Sequence, residues 1–321
     1  MRLFVAMCFL LSLPALAQDP VPTAAAAATP AAQTATLARP SLLQRIQALE
    51  LPTSVGLITA HYAHGHEPQA RALRELVEDA MRFYREALGL ESPLHMAVLT
   101  RNQWESLITW QPYGIPGVVG RPPVIFLPAT DDNVAALDAL SLKLRVTPNT
   151  LALIESSGLS FDDAARRYVD LVGLHELGHV YAQAYGLTPG SAWLNELLAT
   201  YFAYAFLREQ RPLQARMWQG ILQAYIDAVQ PTHRTLADFD RLYFGVGAQN
   251  YVWYQAQFQR MVARAYEARG LGFLAAVRDA LAAPPGGRLD AADIVERLER
   301  VLPGFRPWAA ELTLGRPAGA R

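Results

Sequence analysis

The chain has 321 residues, of which 52% are hydrophobic and 18% charged, so it can build a sizeable core and a wholly disordered chain is excluded. Its 28 Lys and Arg residues balance 29 Asp and Glu residues, and a net charge of −1 gives no support for nucleic-acid binding, which needs a basic surface. The single cysteine, Cys8, lies in the N-terminal apolar stretch. A metal site in the rest of the chain therefore has to use His, Glu and Asp side chains.

The N-terminus predicts export. Arg2 provides a positive start, residues 3–13 are almost all apolar, and Ala15-Leu16-Ala17 matches the small-residue pattern of a cleavage site. We interpret residues 1–17 as a signal peptide, because the apolar stretch is shorter than the roughly 20 residues that a membrane-spanning helix needs. An uncleaved anchor is the alternative. Cleavage would leave a periplasmic or extracellular protein without a membrane span, beginning with an Ala/Pro-rich linker over residues 18–40.

Residues 41–186 predict a small α/β lobe. In chain order, the expected elements are a strand at 55–62, an amphipathic helix at 68–88, a strand at 94–100, a short helix at 102–109, a strand at 122–128 and a helix at 133–144. The strand at 122–128 contains prolines, which sheets tolerate at their edges and not at their centres, so we expect it to be an edge strand.

Residues 187–321 predict a helical lobe. Helices are expected over 160–185, where Ser160 begins the helix that ends the first lobe, and over 191–211, 213–229, 249–269, 272–282 and 290–302. The expected fold class is therefore α+β, with a small mixed-sheet N-terminal lobe followed by an all-helical C-terminal lobe.

A metal site is predicted on the helix at 160–185. His175 and His179 are one helical turn apart on the same face, so both imidazoles can reach one ion. Glu176 is rotated away from that plane but can reach a water bound to the ion, which is the H-E-x-x-H arrangement of zinc hydrolases. The surrounding residues are apolar nearly all round the helix, and burying these three side chains without a partner would cost several kcal/mol.

Glu196 is the predicted third ligand. It is the only acidic residue between His179 and Glu209, and it lies in an apolar helix where a lone carboxylate needs a strong partner. A catalytic zinc usually has three protein ligands and a water, so one zinc ion per chain is expected. Asn195 and Thr200 flank Glu196 and are candidates for holding its orientation.

The two segments His175-Glu176-x-x-His179 and Trp193-Leu194-Asn195-Glu196-x-x-Ala199 resemble the gluzincin branch of the clan MA zinc metallopeptidases, which includes thermolysin and the aminopeptidase N group. The resemblance extends over about residues 50–312, where the chain is similar to small exported clan MA-like proteins of bacteria. It implies a zincin-like fold, with the helix at 160–185 as the active-site helix, and a zinc peptidase acting on a peptide or protein substrate. The G-x-M-E-N exopeptidase signature is absent from the sequence, which favours an endopeptidase.

The resemblance also implies roles for individual residues. Glu176 would be the general base, and a downstream Tyr or His would stabilise the oxyanion. We favour Tyr251 for that role, with Tyr254 as the fallback and His233 as a further candidate. The oligomeric state is not predicted.

Other features leave alternatives open. The predicted edge segment 118–127 could bind a peptide by strand addition. His61, His64 and His66 could form an accessory metal site, although a polar loop is the simpler interpretation. Asp170 is expected either to be structural or to support a metal ligand. The same metal ligands would serve a zinc hydrolase of a non-peptide amide in the cell envelope. A binding or assembly module without turnover is a third possibility, but it would be expected to lose Glu176.

Overall fold

A computed structural model describes residues 40–282 and 289–314. The predicted signal peptide at 1–17 and nearly all of the predicted linker at 18–40 lie outside the described residues. The α+β class is confirmed, with a small mixed sheet and a larger helical region. Within the described ranges, no helix is both long and apolar enough to cross a membrane.

The sheet has five strands in the order β1-β2-β3-β5-β4. The strands are β1 (Thr53–Val55), β2 (Thr59–Tyr62), β3 (His95–Leu99), β4 (Gly117–Val119) and β5 (Val124–Pro128). The three inner strands are parallel to one another, whereas β1 and β4 run antiparallel to their neighbours at the two edges. The strand predicted at 55–62 is therefore the turn and second strand of a hairpin.

The prediction of an edge strand at 122–128 is wrong. β5 lies between β3 and β4, all its residues are buried, and Ile125 is in register with Met96 on one side and Val118 on the other. The prolines do not interrupt the sheet, because Pro122 and Pro123 lie in the preceding turn and Pro128 is the last residue of the strand. The edge on this side is β4.

The described residues form thirteen α-helices. They are α1 (Leu42–Gln47), α2 (Glu67–Leu88), α3 (Arg101–Leu107), α4 (Val134–Leu140), α5 (Pro148–Glu155), α6 (Phe161–Ala184), α7 (Ala192–Gln210), α8 (Pro212–Ala228), α9 (Leu236–Leu242), α10 (Ala248–Arg269), α11 (Gly272–Leu281), α12 (Ala291–Val301) and α13 (Phe305–Leu314). The long helices were predicted to within two residues at each end. The sequence analysis missed α1, α5, α9 and α13, each of ten residues or fewer.

Two different caps begin the helices that carry the predicted ligands. The Ser160 hydroxyl accepts the backbone N–H of Asp163 at 3.2 Å, as expected for the start of α6. Ser191 precedes α7 but makes no such bond; its hydroxyl donates to Asp240 on α9 at 3.0 Å. Asp240 also accepts the backbone N–H of Trp193 at 3.0 Å and so takes over the capping role.

The helices α6 and α7 approach closely beside the predicted site. A Cβ atom added to Gly178 would lie 2.2 Å from the carbonyl oxygen of Ala199, so only glycine allows this separation. Gly178 is part of the H-E-x-x-H segment, and Ala199 lies one turn after Glu196. The contact therefore brings the predicted ligands of the two helices together.

One hydrophobic cluster runs from one face of the sheet through α2, α6 and α7 to the C-terminal helices. It crosses the predicted lobe boundary at residue 186 without a break. At its far end, the rings of Trp193 in α7 and Trp308 in α13 lie 6.3 Å apart. A smaller cluster fills the other face of the sheet beneath α1 and α3.

Candidate metal centre

The structure brings the four predicted metal-site residues together between α6 and α7. His175, Glu176 and His179 project from α6, and Glu196 from the second turn of α7. His175, Glu176 and Glu196 are buried, whereas the His179 side chain keeps 27% of its exposure. His179 is therefore the residue of this group that solvent reaches most readily.

The Glu196 carboxylate faces both imidazoles. Its Oε2 lies 3.0 Å from Nε2 of His175, and its Oε1 lies 3.7 Å from Nε2 of His179. The two imidazole rings are perpendicular, with centroids 4.8 Å apart. Two nitrogens and one carboxylate thus point into a common space from two helices.

His175, Glu176 and His179 form a buried group that could hold a metal ion, since one ligand atom from each lies within 4.8 Å of the others. Two imidazoles and a carboxylate are a zinc donor set, and zinc ligands at about 2.0–2.1 Å in tetrahedral geometry lie about 3.3 Å from one another. The two oxygens of Glu196 lie 3.0 and 3.7 Å from the imidazole nitrogens, one oxygen to each ring, which is close to that separation. The carboxylate of Glu196 therefore faces the same space as the group on α6.

Three further side chains support the predicted ligands. The Tyr243 hydroxyl donates to Oε1 of Glu196 at 2.6 Å, and Nε2 of Gln255 donates to Oε2 at 2.7 Å. Nδ1 of His175 lies 3.1 Å from the Thr200 hydroxyl. Groups of this kind orient metal ligands, and their removal typically weakens metal binding by about 10- to 100-fold.

The pKa values of the two carboxylates, Glu196 and Glu176, are shifted in opposite directions. Burial would raise the pKa of Glu196, but His179, the bond with His175 and the Tyr243 hydroxyl outweigh it and hold that pKa well below its usual range. Burial raises the pKa of Glu176 to about 8, against the opposing charge of His175. A divalent cation nearby would favour the ionised form of Glu176, as a general base requires.

The two imidazoles also differ. Burial lowers the pKa of His179 to about 4, so it is neutral and available as a ligand. Burial also lowers the pKa of His175. The adjoining Glu196 carboxylate has the larger effect, so the pKa of His175 is raised overall. Metal binding at these nitrogens would compete with protons, since an imidazole binds a metal in its neutral form.

The predicted tyrosines have different environments. The Tyr251 hydroxyl interacts with the Glu196 carboxylate, and burial together with the charge of Glu196 raises the pKa of Tyr251 well above its usual value. The Tyr254 hydroxyl instead donates to the carbonyl of Thr235 at 2.9 Å, where it anchors the start of α9. Tyr251, not the fallback Tyr254, is the one the structure places by the ligands.

The sequence analysis missed Tyr243 and Gln255. Tyr243 lies in a short 3-10 turn after α9, and its φ of 48° puts a non-glycine residue in the left-handed region. Such backbone strain costs about 1–3 kcal/mol and is concentrated at functional sites. The Gly-Val-Gly segment after Phe244 was the available signal of an unusual turn, whereas nothing in the sequence distinguishes Gln255 from other helical glutamines.

The remaining candidates lie in other settings. His61 is buried in β2 and its ring is stacked 6.0 Å from that of His95, whereas His64 is exposed in the loop before α2. His233 is tied to Asn250, which accepts its backbone N–H at 2.8 Å. Asp170, on α6, has its pKa raised to about 7 by burial and by the charge of Asp131.

No protein-family model, curated protein or solved structure matches this chain.

Proposed function

We propose that the chain is a zinc-dependent peptidase of the gluzincin type, and more specifically an endopeptidase with one zinc ion per chain. The observation that carries the proposal is the convergence of His175, His179 and Glu196, from two helices, on a buried space beside Glu176. The zincin-like character of the fold is part of the same proposal. It is supported by the order of elements, in which a small mixed sheet is followed by a long helix bearing both histidines and a second helix bearing the glutamate.

In this proposal, His175, His179 and Glu196 hold the zinc, which when bound acidifies a water molecule and polarises the scissile carbonyl. Glu176 takes the proton from the water and delivers it to the leaving amine. Its position on α6 between the two histidines supports this role, and the charge of the bound cation would favour the ionised carboxylate that a general base needs.

Tyr251 is the proposed oxyanion donor. Its ring stacks on Phe239 at 5.6 Å and lies 5.9 Å from the ring of Tyr243, so it is fixed by aromatic contacts rather than by a hydrogen bond to the backbone. Tyr243 is already engaged with Glu196 through its hydroxyl. The Tyr251 hydroxyl lies close to the same carboxylate and to Tyr243, so it reaches a substrate carbonyl by turning away from Glu196.

The sheet supports a peptide as the substrate. β4 forms the edge of the sheet in the described part of the chain, and it contacts α6, which carries the histidines. An extended peptide that paired with β4 would therefore lie alongside the metal-site helix. We therefore propose that a peptide would pair with Gly117–Val119, which is the edge strand, and not with the whole of the segment 118–127.

Two other functions use the same site. A zinc hydrolase of a non-peptide amide would need the same ligands, and a binding module would need the metal without Glu176. The retention of a buried Glu176 favours catalysis. The N-terminal pattern supports export, which would place the activity in the periplasm or outside the cell.

The test is to measure the metal content of the purified protein and its cleavage of a peptide library. Glu176→Gln is compared with Glu75→Gln, an exposed control on α2. One zinc per chain, with cleavage lost only in Glu176→Gln, supports the peptidase. Zinc binding without cleavage by the wild type or the control variant supports the binding module. If non-peptide amides are assayed alongside the peptides and only they are cleaved, the result supports the zinc hydrolase of a non-peptide amide. A protein that takes up no zinc when the ion is added back contradicts the metal site.

A further inference from the structure

A ring of hydrogen bonds joins three helices around the proposed metal site. From α6, Nδ1 of His175 lies 3.1 Å from the Thr200 hydroxyl of α7. Oγ1 of Thr200 lies 3.5 Å from Oε1 of Gln255 on α10. Nε2 of Gln255 lies 2.7 Å from Oε2 of Glu196, and that same oxygen lies 3.0 Å from Nε2 of His175.

The chemistry of these groups sets the direction of each bond. An ionised Glu196 only accepts, so the Gln255 atom that faces it must be the amide nitrogen, and the amide oxygen is then turned to Thr200. A carbonyl oxygen also only accepts, so the Thr200 hydroxyl must donate its one proton to Gln255. The lone pairs of Thr200 are what remain for His175, and Nδ1 of His175 must therefore carry a proton.

We propose that Gln255 and Thr200 are positioning residues that together hold His175 with its proton on Nδ1 and present Nε2 as the metal ligand. This inference rests on the proposed metal site. Gln255 has a second effect, because its amide proton holds the Glu196 carboxylate in place between the two imidazoles. One amide thus orients a nitrogen ligand on α6 and an oxygen ligand on α7.

The burial of the ring explains why these orientations persist. Thr200 and Glu196 are only 1% and 2% exposed, so water does not compete for their bonds. Nδ1 and Nε2 of an imidazole exchange roles easily in solution, and the bond made by one nitrogen decides which nitrogen remains for a metal. The Thr200 hydroxyl supplies that bond.

The test uses four variants of the full chain. Thr200→Val removes the acceptor for His175 at nearly the same volume, and Thr200→Ser restores a hydroxyl. Gln255→Leu removes both bonds of the amide. Gln259→Leu is the control, because Gln259 lies one turn further along α10 and is buried, and its amide nitrogen has no hydrogen-bond partner among the described residues.

Zinc affinity is measured by competition with a chelator, and urea unfolding checks that each variant is folded. Thr200→Val and Gln255→Leu are expected to bind zinc about 10- to 100-fold more weakly, the usual effect of removing a group that orients a ligand. Thr200→Ser is expected to recover most of the affinity, and Gln259→Leu to match the wild type.

A spectroscopic measurement separates positioning from general packing. In the zinc-loaded wild type, proton–nitrogen-15 NMR should show a proton attached to Nδ1 of His175 that exchanges slowly with water. In folded Thr200→Val that proton should shift upfield and exchange faster, whereas loss of packing alone would leave it unchanged.

Two outcomes distinguish the role of Thr200 and Gln255 from the presence of the metal site. If the wild type binds zinc and Thr200→Val binds it equally well with an unchanged His175 spectrum, the positioning inference is overturned and the metal site stands. If the wild type takes up no zinc, the proposed function fails and the inference fails with it.

Discussion

Replacement of Gly178 by alanine should separate α6 from α7 and weaken the metal site. The added Cβ would lie 2.2 Å from the carbonyl oxygen and 2.9 Å from the carbonyl carbon of Ala199, which are backbone atoms and cannot rotate away. Ordinary contact needs about 3.5 Å, so the helices must move apart by about 1 Å. That movement would widen the gaps of 3.0 and 3.7 Å that separate Glu196 from His175 and His179.

Gly173→Ala is the matched control on the same helix. Its Cβ would meet only the two methyl ends of Leu127, each at 3.3 Å, and a leucine side chain can adjust. Both substitutions gain the same helix propensity of about 1 kcal/mol, so their difference isolates the packing term. Overpacking costs about 1–3 kcal/mol, and we expect Gly178→Ala to be less stable than Gly173→Ala by that amount.

Urea unfolding measures the stability difference, and chelator competition and peptide cleavage measure the effect on the site. A misplacement of about 1 Å costs about 100-fold in kcat/KM in well-organised active sites, and we expect a loss of that order in Gly178→Ala only. Equal stability, zinc affinity and cleavage in the two variants would show that the close approach of α6 and α7 does not hold the ligands together.

Three other perturbations test different parts of the structure. Tyr251→Phe should lower kcat with little change in stability, whereas Tyr254→Phe should lower the unfolding free energy by about 1 kcal/mol and leave kcat unchanged; the reverse pattern would contradict the assignment. Burial lowers the pKa of His61 and His95, so the unfolded chain binds protons more readily than the folded chain below about pH 6.5. The contribution of these two imidazoles to the free energy of unfolding should therefore fall as the pH drops from 7 to 5, so His61→Gln should lose less stability in urea than the wild type over that range. Asp240→Ala should cost about 1–2 kcal/mol in thermal unfolding, because it removes the cap of α7, and an unchanged Tm would refute that role.

The sequence predicted the elements that carry the site because they obey local rules. α6 begins at Ser160 with a side-chain cap, and its apolar residues continue nearly all round the helix, so its position and burial follow from the pattern. The polar residues His175 and Glu196 stand out in apolar helices because burying them alone is costly. Their convergence, however, depends on the contact between Gly178 and Ala199, which is a property of the packed pair of helices.

Other parts of the fold depend on partners distant in sequence. β5 was predicted at the edge because its segment contains prolines. A proline indicates an edge strand only when it lies in the interior of the paired segment, and Pro128 is the last paired residue of β5. Ser191 is the residue that precedes α7, but the helix is capped by Asp240, 47 residues away from Trp193. Tyr243 could not be identified as a partner of Glu196, since its position depends on an irregular backbone that no periodicity describes.

The contact of Trp193 with Trp308 ties the end of the chain to the beginning of α7, three residues before Glu196. The hydrophobic cluster that contains both rings continues across residue 186. A cut there would therefore expose a large apolar surface on each fragment. Trimming the chain ahead of α13 would have the same consequence on a smaller scale, and it would loosen the first turn of the helix that bears the carboxylate. Proteolysis ahead of α13 would thus inactivate the molecule without touching the site between α6 and α7.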